Sequence, residues 1–423
     1  MKRKLLVLAN EFPYGSWEPY METEEPFYND VFDKVWIASL QLRSEHARTK
    51  RNLKGKSVVI PVAYKKRIFY LLNAMTVLVD SNLYRELLFL IKEKRFSMSR
   101  LVDLFVYLSR AHHEARIVDK ALRNECKNGI VIYSYRFEYQ PYVAMLLKEK
   151  WGTNNKIISR AHRYDIYEEQ HKNDYIPLRY QVLNGIDCVY PCSEHGSNYI
   201  NKRYHSFNAK IETKYLGTKD RGIRNYKFNA NDVYEVVSCS TLTKVKRVDL
   251  IIDALASIDD FKIKWTHYGD GELMPEIEKY AKDKLEPKEN ITYNFIGNVS
   301  NDILMEEYKR SNYFAFINVS SSEGIPVSIM EAMSFGIPCI ATDVGGTSEI
   351  MGKSEYLLDS NCSYKQVSNS IRKMASLSKS DYVDLCLNAR LKWNSMFNAD
   401  TNYMDFVKSL LEKDDSFEKD TNC

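Results

Sequence analysis

The sequence predicts an α/β chain of two doubly wound parallel-sheet domains facing a central cleft. Two observations carry this. Short apolar, β-branched runs alternate with longer helical patterns along the whole chain, which is how stacked βαβ units read. A polar, basic stretch poor in large aliphatic residues, Gly217–Asn231, then divides the runs into two sets of six. The hydrophobic fraction of 44%, with 13% aromatics, is enough to bury two cores and excludes global disorder.

Strands are expected over Lys4–Ala9, Lys34–Ser39, Val58–Val62, Ile130–Ser134, Lys156–Ala161 and Cys188–Cys192 in the first set. The second set is Tyr234–Cys239, Lys262–Tyr268, Ile291–Ile296, Tyr313–Ile317, Pro338–Thr342 and Glu355–Leu358. This gives domains over residues 1–217 and 232–395, a linker over 218–231, and a C-terminal helix with a charged tail over 396–423. Ser380–Leu411 reads as two helices. The opening Leu5–Ala9 run is too short for a signal-peptide core and reads as a buried strand. No apolar run approaches the roughly 18 residues of a membrane span. The 8 cysteines are scattered with no CxxC pair, so neither a zinc site nor a disulfide framework is expected, and a reducing cytoplasm fits. Cys188 and Cys192 read as core.

Charge is unevenly shared. Residues 1–227 hold 39 basic and 25 acidic side chains, whereas residues 228–423 hold 21 and 31. Residues 51–100 alone hold 11 basic and 3 acidic. Within 64–108, aliphatic and aromatic residues alternate with Lys65, Lys66, Arg67, Lys92, Lys94 and Arg95. That pattern suits an anionic membrane surface, at about 1 kcal/mol per basic side chain. The competing reading is a set of helices packed on the sheet with a solvated basic face. No nucleic-acid module is recognisable and the second half is acidic, so nucleic acid is not expected.

Ligands of doubly wound sheets bind beyond the carboxyl ends of the strands, so residues just after a strand carry the most weight. The densest such stretch is Ser320–Ile350, SSSEGIPVSIMEAMSFGIPCIATDVGGTSEI. Glu323 and Gly324 lie in a loop after a strand, and a helix starts near Ile325–Pro326. Glu331 follows Glu323 by eight residues. A glycine-bearing loop at a helix N-terminus offers free N–H groups to a diphosphate. Two carboxylates at this spacing can take hydroxyls on either side of it. Two glutamates alone would read as a solvated helix face; the strand, glycines, proline and the later Gly345-Gly346 pair in order argue against that.

Glu323–Glu331 resembles the E-x7-E motif of retaining GT-B glycosyltransferases, most closely glycosyltransferase family 4. Gly336-Ile-Pro338 and the Gly345-Gly346 loop before Glu349 are similar to that family's pattern too. The resemblance implies a GT-B fold of two Rossmann-like domains. The first would bind the acceptor and the second the nucleotide sugar. It also implies that Glu323 binds hydroxyls of the donor sugar and Glu331 the ribose. In Val236–Leu255, Lys244, Lys246 and Arg247 crowd a helix start, which is unfavourable against the helix dipole unless an anion sits there. Lys246 matches the family's diphosphate-binding lysine, and Arg247 joins the donor-binding set. The family's arginine, five residues earlier, falls on Thr241, so half of that clamp is missing. His267-Tyr-Gly-Asp-Gly271 resembles the family's G-x-G loop, and Val299 would border the base.

In the first half, the resemblance puts His162, after Lys156–Ala161, near the reacting centre, with Arg160 and Asp165 orienting it or touching acceptor. Gly15, after the first strand, would let backbone approach the donor. Leu216-Gly217 resembles the exit from the first domain.

The expected activity is transfer of a sugar from a UDP- or GDP-sugar to a glycan or polyprenyl-linked acceptor, with anomeric retention. No cofactor or metal is expected, because the chain has no D-x-D motif. The expected setting is bacterial surface polysaccharide assembly, on the inner face of the cytoplasmic membrane. A nucleotide-sugar 2-epimerase and a non-catalytic partner subunit on the same fold are the alternatives.

Overall fold

The computed structural model describes residues 3–72, 74–126, 129–152, 154–225 and 233–411. The chain forms two compact units, Met1–Lys214 with the chain from Tyr403 onward, and Tyr215–Asn402. Of the expected linker, residues 226–231 lie outside the described residues, as does the expected tail from 412.

The first unit is built on a seven-stranded sheet. Its strands are β1 (Lys4–Ala9), β2 (Lys34–Leu42), β3 (Val58–Ala63), β4 (Ile130–Ser134), β5 (Lys156–Ala161), β6 (Cys188–Pro191) and β7 (Lys210–Ile211). They lie in the order β3-β2-β1-β4-β5-β6-β7, and every pair is parallel. Alternation of side chains across a strand explains the apolar run of β1. Leu6 and Leu8 enter one core with the helix Met98–Leu122. Leu5, Val7 and Ala9 enter the opposite one, which the chain's return closes with Phe406, Val407 and Leu410. β7 is the strand the sequence reading lacks. It is two residues long, too short to show a period.

The second unit has six strands, as expected: β8 (Val233–Cys239), β9 (Lys262–Tyr268), β10 (Ile291–Gly297), β11 (Tyr313–Asn318), β12 (Cys339–Thr342) and β13 (Leu357–Leu358). Their order is β10-β9-β8-β11-β12-β13, again all parallel. In each sheet the strand order reverses beside its first strand, which opens a ligand crevice at the carboxyl ends. The two helices expected near the end are Lys379–Met396 and Ala399–Ser409.

The described part of the expected linker is not a free tether. Thr218 N–H donates to Phe397 O at 2.9 Å, and Ala399 N–H returns a bond to Thr218 O at 3.0 Å. Arg224 is buried, bonding to the Tyr313 carbonyl, to Gly336 O at 3.3 Å and to Tyr382 Oη at 3.5 Å. Its polarity serves strand and helix ends of the second unit rather than water. The seven described cysteines are all free thiols. No helix among the described residues is long and apolar enough to cross a membrane.

Candidate active site

At the carboxyl ends of β8 and β11 in the second unit, two loops hold each other. Ser321 N–H donates to Val245 O at 2.8 Å. Arg247, in the left-handed region at φ 48°, donates from Nε to Val319 O at 2.6 Å and from Nη2 to Ser320 O at 3.3 Å. Arg247 is therefore a tie between loops, and the donor-contacting role expected of it is corrected. Its planar fork matches two successive carbonyls, which leaves little of it for a ligand.

The tie brings Lys246 to Glu323. Lys246 Nζ donates to Glu323 Oε1 at 2.6 Å, and Asn318 Nδ2 approaches the same oxygen at 3.4 Å. The side chains of the pair are 25% and 12% exposed, so solvent or a ligand can reach both. The N–H groups of Gly324 and Ile325 have no hydrogen-bond partner among the described residues, and the helix Val327–Ser334 begins just beyond them. Unused N–H groups at a helix start attract an anion. Gly345 explains the later glycine pair. It has φ +56°, and a Cβ there would lie 2.0 Å from Glu323 O. Gly346 N–H then donates to Gly324 O at 2.7 Å.

Glu331 lies on that helix, half-buried, and accepts from Asn301 Nδ2 at 2.6 Å. Desolvation pushes its carboxyl up to about 7, with the Asn301 amide and Arg221 pulling the other way. Asn318 and Asn301 are additions that the sequence did not single out; the only prior signal was their place at a strand end and a helix start. Thr241 is exposed in the loop after β8, and Lys244 is exposed beside it. Gly269 and Gly271 let the next loop close on this one: a Cβ would meet Ser240 O at 2.0 Å and Leu242 O at 2.5 Å. Val299, half-buried, follows β10. His267 is internal, 2.8 Å from Ser238 Oγ, and burial brings its imidazole down to about 4.

In the first unit, His162 follows β5 and caps the short helix Arg163–Ile166. Its Nδ1 lies 3.2 Å from Asp165 Oδ2, and its backbone N–H donates to the same oxygen at 3.1 Å. Burial pulls the imidazole down, but the Cys192 sulfur and the Asp165 carboxylate outweigh this and leave it pushed up to about 9. Asp165 is itself fully buried. Burial would raise it, and Arg136, 3.3 Å away, with His162 brings it to about 2. Asp165 thus orients His162 and does not face a ligand.

Three further expectations for the first unit change. Arg160 touches no solvent: it pairs with Glu24 at 3.1 Å, bonds Lys214 O at 3.0 Å and packs 3.9 Å from the Phe406 ring. It is a core tie and not an acceptor contact. Gly15 adopts φ +60°, as the loop requires, yet its N–H donates to Thr49 Oγ1 at 3.1 Å. The neighbouring N–H groups of Asn10, Glu11 and Phe12 all point at the buried Glu18 carboxylate, at 2.9 to 3.1 Å. This loop satisfies its own amides, which corrects the donor role given to Gly15. In the basic region, Arg67 pairs with Asp103 at 2.6 Å and Arg95 with Glu168 at 3.0 Å, so neither is free. Lys65 is half-buried with its ammonium 5.6 Å from the Phe69 ring. Lys66, Lys92 and Lys94 are exposed, as are Ile68, Leu72, Met75, Val79, Leu88 and Ile91.

Among the described residues no cluster of three His, Cys, Asp or Glu is placed to hold a metal. A family model matches part of the chain. Residues 221–390 match Glycosyl transferases group 1. The matched stretch contains Lys246, Glu323, Glu331 and the glycine loops. A UDP-N-acetylglucosamine–peptide N-acetylglucosaminyltransferase GtfA subunit from Streptococcus agalactiae is 21% identical over 209 residues, 47% of this chain and 39% of that protein. The O-antigen biosynthesis glycosyltransferase WbnH of Escherichia coli is 29% identical over 126 residues, 30% of this chain and 33% of that one. The alignments thus span between a third and two fifths of these relatives' lengths. The crystal structure of Anabaena Alr3699/HepE in complex with UDP and glucose superposes with a TM-score of 0.65 at 14% identity, covering 96% of this chain and 99% of that one. The fold is GT-B, and the family match and structural neighbours support a GT-B glycosyltransferase.

Proposed function

We propose that the protein is a retaining family 4 glycosyltransferase. It moves a sugar from a UDP- or GDP-sugar to a lipid-linked glycan acceptor in bacterial surface polysaccharide assembly. One observation carries the reading: the open Lys246–Glu323 pair, 2.6 Å apart, beside the unused N–H groups of Gly324 and Ile325. Glu323 would take hydroxyls of the donor sugar. Glu331 would take the ribose, and Val299 would border the base.

The acceptor oxygen bonds to the anomeric carbon as that carbon's bond to the diphosphate breaks. The electron pair leaves on the diphosphate, and the acceptor proton passes to that leaving oxygen. Negative charge grows there, and Lys246 with the fixed N–H groups is arranged to stabilise it. These groups do a metal's electrostatic work, so the reaction is proposed to need none. His162, held by Asp165, would line the sugar's side of the reaction. The O-antigen biosynthesis relative agrees with a surface-glycan product, and the HepE structure solved with UDP and glucose agrees with a uridine donor.

Thermal unfolding with UDP, GDP and their sugars tests this, with and without EDTA. A ligand that binds only the folded state raises the melting temperature. One base is expected to do so, unchanged by EDTA. A shift from neither base, or one that needs a metal, would overturn the donor site or its metal independence.

The exposed aliphatic residues among Lys66, Lys92 and Lys94 support a peripheral membrane contact on the cytoplasmic face. Sedimentation with anionic liposomes should fall sharply on reversing these three charges, and equal binding would remove the membrane from the proposal. Thr241 in place of an arginine favours a second reading as a non-catalytic partner. Nucleotide binding with no turnover in any acceptor mixture would select it.

A further inference from the structure

Two donors face one oxygen of Glu323. Lys246 Nζ lies 2.6 Å from Oε1, and Asn318 Nδ2 stands 3.4 Å from the same atom, whereas Oε2 meets no donor among the described residues. An amide normally bonds a carboxylate oxygen at about 2.7–3.2 Å. Asn318 is therefore aimed at Oε1 without having closed on it.

Its aim is fixed by what lies behind it. Asn318 ends β11 and is 8% exposed. Its Oδ1 accepts from the Ser320 backbone N–H at 3.1 Å and from Ser320 Oγ at 2.7 Å. A backbone N–H can only donate, so the amide cannot be turned over, and Nδ2 has to face Glu323. Ser320 is held in turn from two other loops: its carbonyl accepts from Arg247 Nη2 at 3.3 Å and from Thr342 Oγ1 at 2.5 Å. Both Ser320 and Thr342 are buried. Because Arg247 adjoins Lys246 in the chain, the contacts close a ring through Lys246, Arg247, Ser320, Asn318 and Glu323.

Only one donor in this ring is free to leave. Lys246 is a quarter exposed, and an ammonium carries three donors on a flexible stem. An anion at the N–H groups of Gly324 and Ile325 would draw that ammonium toward itself and take the short partner from Oε1. Water can replace the lost bond while the site is open. A sugar lying over Glu323 would exclude that water, and a desolvated carboxylate oxygen without a donor is unfavourable. Nδ2 has no other acceptor among the described residues and needs only a small shift to supply the bond.

We propose that Asn318 is a positioning residue: it takes over Glu323 Oε1 when the donor diphosphate draws Lys246 away, so that Glu323 keeps its place while Oε2 meets the sugar. The inference rests on the donor-site reading above and adds an exchange of partners to it. Asn318 then matters for a sugar nucleotide and little for the nucleotide alone, which leaves Glu323 open to water.

The test is calorimetric titration of the full-length protein with UDP, GDP, UDP-glucose, UDP-galactose, UDP-N-acetylglucosamine and GDP-mannose. The wild type shows which nucleotide and which sugar nucleotide to compare. Asn318→Ser keeps the turn, since a serine oxygen can also accept from the N–H two residues on, and it removes Nδ2. The variant should bind the nucleotide within about twofold of wild type and the sugar nucleotide about tenfold or more weakly, the usual loss for a hydrogen bond to a charged group. In a Glu323→Ala background the same substitution should change neither affinity, because Asn318 acts through Glu323. Equal loss of both ligands in Asn318→Ser would leave Asn318 a structural role only and overturn the exchange. Unchanged sugar-nucleotide affinity overturns it too, as does a further loss in the Glu323→Ala background or a wild type that binds a nucleotide but no sugar nucleotide. In all of these the wild type still binds nucleotide, and the donor reading stands. A wild type that binds none of the six ligands rejects the donor reading and the exchange with it.

Discussion

The two sheets end in contrasting electrostatic arrangements. In the second unit, Lys246 and Glu323 are shared between neighbouring loops and remain within reach of solvent, beside N–H groups with nothing to bind. In the first unit, the corresponding charges are sealed. Arg160 and Glu24 are both fully buried, Asp165 is enclosed by Arg136 and His162, and Glu18 fills the amides after β1. The same residue types therefore do different work. A pair that solvent can reach can exchange its partner for a ligand, because water or ligand hydroxyls can take over its hydrogen bonds. Sealed pairs cannot, because desolvated charge has to keep its partner.

The largest effect expected from this contrast is on stability. Arg160→Met should destabilise the protein by about 3–5 kcal/mol, since it strands Glu24 without a cation. For a unit of this size that lowers the melting temperature by roughly 6–20 °C. Adding Glu24→Gln should restore part of the loss. A single variant that melts with the wild type would show the pair is not the anchor its burial indicates.

Lys246→Ala comes next and acts on rate. It should lower turnover by about 10²–10³-fold, the usual consequence of removing one donor to a developing oxyanion. Its melting temperature should barely move, because the pair is open. Kinetics and calorimetry on one preparation distinguish the two kinds of charge: Arg160→Met moves the melting point, Lys246→Ala the rate. Turnover within threefold of wild type would remove Lys246 from the site.

What could be read from sequence follows the same division. The arrangement of the loops that carry Glu323 and Glu331 was legible because it is local. Glu323, the glycines and Glu331 sit on one strand–loop–helix segment, and the spacing alone fixes which of them share it. Twelve of the thirteen strands among the described residues were legible from apolar runs, and β7 was not because two residues have no period. Arg160, Arg95 and Arg247 were misjudged because a cation in a sequence does not disclose its partner. Glu24 is 136 residues before Arg160, and Glu168 is 73 after Arg95. Glu18 was missed for a related reason. A carboxylate folding back onto three amides depends on a left-handed turn at its own position, φ 56°, which nothing in its residue type announces.

Glu331 sits between the two classes, and its expected effect is the smallest. It belongs to the open site but is desolvated enough that its carboxyl is pushed up to about 7. A folded-state value above the ordinary glutamate range means that the charged form is disfavoured. This group's stabilising contribution is complete below about 4.5 and is lost as pH rises through 7. Ribose hydroxyls donating to the carboxylate reverse that preference, so a bound nucleotide favours ionisation. Nucleotide affinity should then be flat above pH 7 and fall as pH drops below it, by at most tenfold per unit. The nucleotide's own terminal phosphate titrates near 6 and adds a slope. Glu331→Gln keeps the phosphate contribution and removes the carboxylate one, so the difference between the two profiles isolates the residue. Parallel profiles would mean that the ribose does not meet Glu331, leaving the Asn301 contact as this carboxylate's whole role.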